Sequence, residues 1–420
     1  MKFTTIILAA GKGTRMKSKL PKVLHKVCGK PMLEHVIEAA RGAGSEREVV
    51  VIGSGADEVR ERIQGVEFAL QAEQLGTGHA VMVTKDSLKD VSGTVMVLCG
   101  DTPLITSELL SSFIESHEQS KAAATVLTAI MPDATGYGRI VRNQSGTVDK
   151  IVEHKDANED ELQIHEVNSG MYCFDIKTLF DALDKVTNDN AQGEYYLTDV
   201  LEIIRSQGLL INAFVTNAFT QIFGVNSRYQ LATAERFLRQ RKNIELMDNG
   251  VTILDPDSTF IDSDVEIGCD TIIYPFTYIE GNIKIGENCN IGPFVHIRPG
   301  SNIGDSVKIG NFVEVKNSNI GAGTKLPHLQ YIGDSDVGEN VNIGCGTVTC
   351  NYDGKKKHRT TIGNNVFIGC NTNLVAPVSI GNNVYTAAGS TITQDVPENN
   401  LAIGRARQVN KSTWKDKRNN

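Results

Sequence analysis

The feature that most constrains the fold is an aliphatic residue at every sixth position in the second half of the chain. A period of six matches neither an α-helix nor an alternating strand. It is typical of a parallel β-helix, in which each six-residue unit is one short strand and one corner. We therefore expect these side chains to point inward, with each coil burying its apolar face on the next. The consecutive positions in one phase are Ile261, Ile267, Ile273, Ile279, Ile285, Ile291, Ile297, Ile303, Ile309 and Val315.

The repeat is interrupted twice. Its phase slips near Asn317 and again around residues 351–359, and it resumes at Ile362, Ile368, Leu374, Ile380 and Ile392. We expect a loop to leave the β-helix at each slip. Because loops on a rigid scaffold often carry function, the slips indicate where a site should lie.

The first half alternates short β-rich runs with helix-favouring segments. This alternation predicts an α/β domain with a mostly parallel, Rossmann-like sheet, whose ligands would sit at the carboxyl ends of the strands. The predicted strands are residues 3–10, 49–52, 66–70, 95–99 and 122–130, and the predicted helices are 32–43 and 194–206. A charged segment without glycine or proline predicts a helix over 228–248, which either links a domain at 1–227 to the β-helix at 249–420 or ends the first domain.

Composition narrows the functional classes. A chain of 420 residues is too long for one ordinary core, which agrees with two domains. The formal net charge of −8 argues against a general nucleic-acid binder but does not exclude local phosphate sites. The apolar run at 3–10 is too short for a signal peptide, and no run is long enough to cross a membrane. Eight cysteines without a CxxC pair predict reduced thiols, no structural zinc and a cytoplasmic location.

A glycine-rich loop, LAAGKGTRM at residues 8–16, follows the first predicted strand directly. Backbone N–H groups of such a loop can approach phosphate oxygens closely, and Lys12, Arg15 and Lys22 add cations around it. The loop is neither a P-loop nor a dinucleotide fingerprint, so on its own it would also fit a plain tight turn. Asp101 ends another apolar strand, at the edge where a hard divalent cation is usually held.

Further segments turn this loop into a specific pattern. In chain order they read LPKVL at 20–24, LQAEQLGTGHA at 70–80, GDTPL at 100–104, TGYGR at 135–139, VEHK at 152–155, NSG at 168–170, NAQGEYY at 190–196 and GVN at 224–226. Together with the β-helix, the set resembles the bacterial bifunctional N-acetylglucosamine-1-phosphate uridylyltransferases/glucosamine-1-phosphate N-acetyltransferases. The resemblance covers nearly the whole chain in order, so it is far more specific than any single motif. It implies that the parallel β-helix is left-handed.

For the first domain, the resemblance implies transfer of UMP from UTP to N-acetylglucosamine 1-phosphate, with release of pyrophosphate. Asp101 and Asn226 are then the Mg²⁺ ligands, while Arg15 and Lys22 hold the triphosphate and stabilise the charge of the transition state. The other implied contacts are Leu8, Ala9, Ala10 and Gly11 in the loop, Gln71, Gly76 and Thr77 on the uridine side, Gly100 beside Asp101, and Gly138, Glu153 and Asn168 on the sugar side.

Polar side chains near the phase slips indicate a second site. Arg298, Lys316, Tyr331 and Asn342 supply two cations, a hydroxyl and an amide, a mixture that suits a sugar phosphate. His328 lies on a segment that departs from the six-residue pattern. N-acetylation needs a base for the proton of the attacking amine, and histidine titrates in the useful range. A lone histidine in a loop is usually a polar surface residue, but its neighbours and the resemblance favour His328 as the general base.

The resemblance also implies acetyl-CoA binding by the β-helix. The implied contacts are Cys345, Asn351, Tyr352, Cys370, Ala388 and Arg405. The two cysteines stand where the family more often has alanine and serine, and Leu326-Pro327 precedes the histidine where it more often has Ala-Gly. Because a thiol is a poorer hydrogen-bond partner than a hydroxyl, we expect acetyl transfer to be slower or changed in substrate. The basic tail beyond Arg405 fits either the phosphates of CoA or a tail without a site.

These expectations combine into one hypothesis. The chain is a cytoplasmic homotrimer with acetyl-CoA between subunits and no nucleic-acid or membrane partner. It acetylates glucosamine 1-phosphate and then makes UDP-N-acetylglucosamine for peptidoglycan and lipopolysaccharide precursors. One alternative is a nucleotidylyltransferase of a single reaction whose β-helix only oligomerises or binds regulators. The presence of His328, Lys316 and Tyr331 argues against this alternative. Another is an inactive regulatory subunit, which need not keep a phosphate-binding set together.

Overall fold

The computed structural model describes residues 2–144, 146–190 and 192–411. The chain packs as two units, Met1–Leu238 and Arg239–Asn420. The division falls inside one long helix, Arg228–Asp248, which is the segment expected to link two domains. Within the described ranges, no helix combines the length and the apolar character needed to cross a bilayer.

A mixed sheet forms the centre of the first unit. The strands of this unit are β1 (Phe3–Leu8), β2 (Lys26–Val27), β3 (Lys30–Pro31), β4 (Ser45–Ile52), β5 (Glu67–Leu70), β6 (Thr94–Cys99), β7 (Ala124–Ile130), β8 (Arg139–Arg142), β9 (Val148–Val152), β10 (Glu166–Asp175) and β11 (Ile211–Thr216). The strand order is β11-β7-β10-β6-β1-β4-β5, with β8 and β9 attached to β10, while β2 and β3 pair separately. The pairs of this path are parallel except those of β10, which runs antiparallel to β6 and β7. The predicted mostly parallel sheet is confirmed.

The central strands are buried on both faces. Ile6 and Ile7 are adjacent in β1, yet they enter two different hydrophobic cores, with Val49 and Val50 of β4 beside them respectively. Such strands read as continuous apolar runs because neither face meets water. This arrangement leaves the strand ends as the places where polar groups can gather.

Helices pack on both faces of this sheet. The described helices are α1 (Met32–Gly42), α2 (Ala56–Arg62), α3 (Thr77–Met82), α4 (Ser107–Ser120), α5 (Glu159–Leu162), α6 (Ile176–Leu183), α7 (Asp199–Ser206) and α8 (Arg228–Asp248), the last of which spans the division between the units. The 3-10 turns Thr14–Met16, Lys22–Leu24 and Phe219–Ile222 belong to the first unit, and Pro256–Ser258 belongs to the second. In α1, Leu33, Val36, Ile37 and Ala40 recur at helical spacing and are buried, as an amphipathic helix on a sheet requires.

One predicted helix begins later than expected. Residues 194–206 were expected to be helical throughout, but α7 starts only at Asp199. The backbone of Tyr195 is engaged elsewhere: its carbonyl accepts from Gly78 N at 2.7 Å, and its N–H donates to Leu75 O at 2.8 Å. These contacts beside α3 replace the first helical turn, so that part of the prediction is wrong.

The second unit is a stack of short parallel strands. They are β12 (Thr252–Ile253), β13 (Phe260–Ile261), β14 (Glu266–Ile267), β15 (Ile272–Ile273), β16 (Tyr278–Ile279), β17 (Lys284–Ile285), β18 (Asn290–Ile291), β19 (Val295–Arg298), β20 (Asn302–Ile303), β21 (Lys308–Lys316), β22 (Asn319–Ile320), β23 (Lys325–Gly333), β24 (Ser335–Val337), β25 (Asn342–Ile343), β26 (Val348–Cys350), β27 (Thr360–Ile362), β28 (Phe367–Ile368), β29 (Asn373–Val375), β30 (Val378–Ile380), β31 (Tyr385–Thr386), β32 (Thr391–Ile392) and β33 (Leu401–Ala402).

These strands pair into three faces. The first face runs β12-β15-β18-β21-β23-β25-β28-β31-β33, and the third runs β14-β17-β20-β22-β24-β27-β30. The second begins β13-β16-β19 and ends β26-β29-β32. The long strands β21 and β23 pass through the corner between the first and second faces and belong to both. This is the predicted left-handed β-helix of six-residue repeats.

All ten aliphatic positions of the repeat enter one core, and each is at most 8% exposed. The expectation that they point inward is therefore confirmed. Burying a side chain of this size contributes roughly 1.5–3 kcal/mol relative to leaving it in water. The repeat itself is thus the main source of cohesion between coils.

The two phase slips have different causes. A regular coil places paired residues 18 positions apart, as for Asn364 and Asn382. Near Asn317 the coil is one residue shorter, because the paired residues Asn302 and Asn319 are only 17 positions apart. No loop leaves there, so that prediction is wrong. At the second slip the separation grows to 25, between Glu339 and Asn364, and the added residues form the expected loop.

Candidate active sites in the two units

A cavity of about 540 Å³ opens in the first unit where β1, β5 and β6 end. These strands belong to the parallel part of the sheet, so their carboxyl ends meet at one edge. Many of the positions expected to contact the nucleotide line it, namely Leu8, Ala9, Ala10, Gly11, Lys22, Gln71, Gly76, Thr77 and Asp101. The glycine loop and the predicted cation site therefore face the same space.

Lys22 ties the two expected metal ligands together. Its Nζ lies 2.5 Å from Asp101 Oδ2 and 3.0 Å from Asn226 Oδ1, although 204 positions separate it from Asn226. The side chains of Lys22 and Asp101 are only 14% and 19% exposed, which strengthens the attraction between their charges.

The same two oxygens fit a small hard cation. Mg²⁺ prefers oxygen donors and is commonly held by one or two protein groups together with substrate phosphates and water. Among the described residues, no cluster of three or more His, Cys, Asp or Glu side chains suits a metal. Asp101 and Asn226 together offer two oxygen donors at this edge, which fits coordination of that kind.

The expected sugar contacts form a second group on the antiparallel strands. Asn168 N donates to Gly138 O at 2.9 Å, and a Cβ added to Gly138 would lie 3.5 Å from Glu153 Oε1. Asn168 Nδ2 donates to the Tyr172 hydroxyl at 2.8 Å. Burial, with smaller contributions from Asp156 and Asp199, raises the pKa of Glu153. Three residues far apart in sequence are thus adjacent.

Six expected residues of the first site do not line the cavity. Gly138, Glu153 and Asn168 form the separate group described above, and Asn226 contacts Lys22. The other two are Arg15 and Gly100. Arg15 is exposed on the 3-10 turn after the loop. Gly100 is buried, and its N–H donates to Leu8 O at 2.9 Å. Gly100 therefore supports the end of β1 rather than facing the cavity.

Three cations of the second unit lie near one another. Arg298 and Lys316 are paired in register at the ends of β19 and β21, and Lys357 reaches Lys316 from the loop of the second slip. The ammonium of Lys357, followed by loss of hydration and the charge of Arg298, lowers the pKa of Lys316. Arg298 Nη1 also donates to Glu314 Oε1 at 2.8 Å. Such a set suits a ligand with two negative charges.

A hydrogen-bond network joins Tyr331 to the start of that loop. Asn351 Nδ2 donates to Asp334 Oδ2 at 2.5 Å and lies 3.3 Å from the Tyr331 hydroxyl oxygen. Asn317 Nδ2 donates to the other Asp334 oxygen at 2.5 Å. Asp334 thereby fixes both amides, and Asn351 is buried while Tyr352 beside it is exposed.

His328 lies on the corner between the first two faces. It pairs with Asn311 one coil earlier, and its ring is exposed. The adjacent Leu329 O accepts from Gly346 N at 2.9 Å, so Cys345 occupies the corresponding corner of the next coil. Cys370 and Ala388 continue this column, and a Cβ on Gly389 would lie 3.7 Å from Arg405 Cδ. Four implied acetyl-CoA contacts are therefore close together.

Comparison with known proteins agrees with both units. The description "Nucleotidyl transferase" matches residues 4–243, and "Bacterial transferase hexapeptide (six repeats)" matches 264–299, 282–317 and 359–394. The chain is 53% identical to the bifunctional protein GlmU of Geobacillus thermodenitrificans, over 98% of this chain and 97% of that protein. It is 54% identical to the bifunctional protein GlmU of Caldanaerobacter subterraneus, over 99% of this chain and 98% of that protein. It is 53% identical to the bifunctional protein GlmU of Clostridium beijerinckii, over 98% of each chain.

The chain belongs to the bifunctional GlmU family. Matches of this extent confirm the resemblance seen in the sequence, and they identify the chain as a bifunctional transferase rather than an enzyme of one reaction. Both units contribute to the match, so neither is an unrelated addition.

One expected residue is not brought to the second site of this GlmU chain. Asn342 pairs with Lys325 and Phe367 on the first face. Tyr331 instead pairs with Val348 on the second face. A single chain therefore presents Asn342 on a different face from Tyr331. The basic residues Lys415, Lys417 and Arg418 of the tail lie outside the described residues.

Some residues of the two sites could not be singled out from the sequence pattern. Gln74, Cys99 and Glu194 line the first cavity beside the expected residues, and Lys12, expected as a cation of the glycine loop, lines it as well. Burial, followed by the charge of Asp101, raises the pKa of Cys99 to about 12, so this thiol stays neutral. Cys99 could have been found from the sequence, because it lies at the end of a predicted strand. Lys357 was harder to single out, because it is one of several cations in the same loop.

Proposed function

We propose that the chain makes UDP-N-acetylglucosamine in two steps. The second unit transfers the acetyl group of acetyl-CoA to the amine of glucosamine 1-phosphate. The first unit then joins the product to UMP from UTP and releases pyrophosphate. The family assignment supports two reactions, and the arrangement of side chains in each unit supports these substrates.

The observation that carries uridylyl transfer is the contact of Lys22 with both Asp101 and Asn226 at the edge of the cavity. When bound there, Mg²⁺ would neutralise charge on the phosphates of UTP. The N–H groups of the glycine loop bind phosphate oxygens, and Lys22 offsets the charge that develops as pyrophosphate leaves. Gln71 and Thr77 orient the nucleoside, and Glu153 and Asn168 orient the sugar. Arg15 would approach the triphosphate from its exposed turn.

The observation that carries acetyl transfer is the convergence of Arg298, Lys316 and Lys357. Neighbouring cations repel one another, and a bound anion offsets this repulsion. The phosphate of an amino sugar phosphate supplies such an anion. With the phosphate held there, Tyr331 contacts the sugar, and Asn351 beside it contacts acetyl-CoA. His328 accepts the proton of the amine as the amine attacks the thioester. Ala388 and Arg405, near the column of His328, contact acetyl-CoA.

An exposed aromatic ladder supports a homotrimer. Phe276, Phe294 and Phe312 stack at 5.0 and 5.2 Å between ring centroids, and Leu329 follows on the next coil. All four have positive φ, which bulky side chains rarely adopt. Contact of this ladder with other copies would also let Asn342 of a second copy reach the site of the first. A trimer with cyclic symmetry is a common form of closed homo-oligomer.

A cytoplasmic location is part of the same proposal. All eight cysteines are free thiols, as expected in a reducing compartment. The substrates are small molecules, and the formal net charge of −8 gives no support to a nucleic-acid partner.

Separate assays of the two reactions test this function. We expect Asp101→Asn to abolish Mg²⁺-dependent release of pyrophosphate and to leave acetyl transfer intact. His328→Ala should do the reverse. Lys325→Ala, an exposed change on the same strand as His328, is the matched control. Equal loss of both reactions in either variant, in folded protein, would contradict this division of labour.

A further inference from the structure

Two thiols occupy the coils directly above His328. Cys345 and Cys370 stand at the same corner position of successive coils, because pairing is in register on both sides of them. Before the corner Ile343 pairs with Ile368, and after it Val348 pairs with Asn373. Of the eight cysteines, all in the described part of the chain, only these two hold matching positions on adjacent coils.

The spacing of the coils is compatible with a bond between the two cysteines. Cys345 O accepts from Asn371 N at 2.7 Å, and Gly344 N donates to Ile368 O at 2.7 Å, so the coils are hydrogen-bonded on both sides of the pair. Strands bonded in this way lie about 4.8 Å apart. A disulfide needs Cα atoms roughly 4.4–6.8 Å apart. Cys370 is exposed and Cys345 partly exposed, so a small reagent can reach them.

We propose that Cys345 and Cys370 form a reversible disulfide that stops acetyl transfer while uridylyl transfer continues. The effect on acetyl transfer rests on the proposed function of the β-helix, whereas formation of the bond does not. The oxidant is a low-molecular-weight disulfide, which the substrate chemistry itself suggests because acetyl transfer releases a small thiol.

The exchange is balanced in two steps. The Cys370 thiolate attacks one sulfur of the small disulfide, and the other sulfur leaves as a thiolate. Cys345 then attacks the mixed disulfide and releases the second small thiolate. The two protons of the protein thiols pass to the two released thiolates. The protein pair is oxidised by two electrons, and one small disulfide is reduced to two thiols.

The position of the bond accounts for its effect. The linked sulfurs lie in the column between His328 and Ala388, which are the base and an acetyl-CoA contact in the proposed function. Fixing both side chains there prevents the thioester from reaching the amine. The cavity of the first unit contains neither cysteine, so its reaction has no reason to change.

Peptide mapping of the full chain tests bond formation. Cys350 shares a tryptic peptide with Cys345, so the work uses a Cys350→Ser background. After treatment with oxidised glutathione, we expect a linked pair of peptides containing Cys345 and Cys370. Glutathione on single cysteines without a linked pair would overturn the proposal.

Activity of the same samples tests the regulatory role. Acetyl transfer should fall in proportion to the linked fraction and return with dithiothreitol, while pyrophosphate release stays constant. Cys370→Ser, compared with its own reduced form, cannot form the first mixed disulfide and should become insensitive to oxidised glutathione. Cys269→Ser, an exposed cysteine on another corner, should remain sensitive.

Two outcomes would overturn the regulatory role. Equal inhibition of the Cys370→Ser variant would place the effect elsewhere. Absence of acetyl transfer in the fully reduced starting protein would overturn the proposed function of the β-helix, and the regulatory role with it. The linked peptide would still establish the bond in that case, so the two failures are distinguishable.

Discussion

Lys316 lies in a strongly positive environment, and this has a measurable consequence. Its neighbours Lys357 and Arg298 lower its pKa below the usual 10.5 of lysine. A cation with a lowered pKa loses its charge at a lower pH, so phosphate binding should weaken as the pH rises through that value. The alkaline limb of kcat/KM for glucosamine 1-phosphate should therefore lie below the ordinary range of lysine.

Lys357→Ala tests this explanation. The change removes the largest cause of the lowered pKa, so the alkaline limb should move to higher pH. At neutral pH, KM should rise by about tenfold or more, because a hydrogen bond between charged groups is worth roughly 1.5–3 kcal/mol. Lys355→Ala, in the same loop, is the control. An unmoved alkaline limb would contradict the role of Lys357.

At the level of single residues, the sequence was most informative where chemistry coincides with a strand end. Asp101 follows β6 and the glycine loop follows β1, so both were found from pattern alone. Lys357 was missed because its role depends on a loop whose path no periodicity describes. Glu153 and Asn168 needed the family resemblance, since their neighbourhood arises only from pairing of distant strands.

Individual coils are held by the inward aliphatic positions, and this can be tested at Ile309. The residue is fully buried in the centre of the stack. Ile309→Ala should reduce the free energy of unfolding by about 2–5 kcal/mol. Lys308→Ala, at the adjacent exposed position, should change it by less than about 0.5 kcal/mol. Hydrogen exchange of the coil amides reports the difference, and equal exchange in both variants would argue against the repeat as the source of cohesion.

For whole elements, the period of six was sufficient to predict the β-helix and its core. It could not tell a shortened coil from an added loop, because either event shifts the phase. The backbone resolved this at Asn317, where the coil simply loses a residue. The late start of α7 was likewise outside the reach of local pattern, since the bonds of Tyr195 to residues before and within α3 decide it.

The complete molecule should depend on its exposed ladder. Phe294 lies between two stacked partners and is 46% exposed. Phe294→Glu should dissociate the proposed trimer in sedimentation velocity and abolish acetyl transfer, because a charge left unpaired in the proposed interface is costly. Pyrophosphate release should persist. Asn302→Glu, on the third face, should leave the trimer intact, and a Phe294→Glu protein that remained trimeric would exclude the ladder as the interface.

On the scale of the molecule, the sequence predicted two domains and their order but not the separation of Asn342 from its expected partners. Motif matching assigns residues to a site without saying which chain provides them. The strand order puts Asn342 on the first face and Tyr331 on the second. This separation, which the sequence does not reveal, indicates that Asn342 would have to come from a different copy of the chain than Tyr331.

The regular coils also suggest how such a protein can change in length. Paired residues of a regular coil are 18 positions apart, and each coil meets its neighbours through the same bonds. Duplicating or deleting one such segment adds or removes one whole coil, and the coils on either side can still pair in register. Tandem copying of a short stretch of gene can therefore extend this half of the molecule, whereas the crossed strand order of the other half offers no equivalent unit to copy.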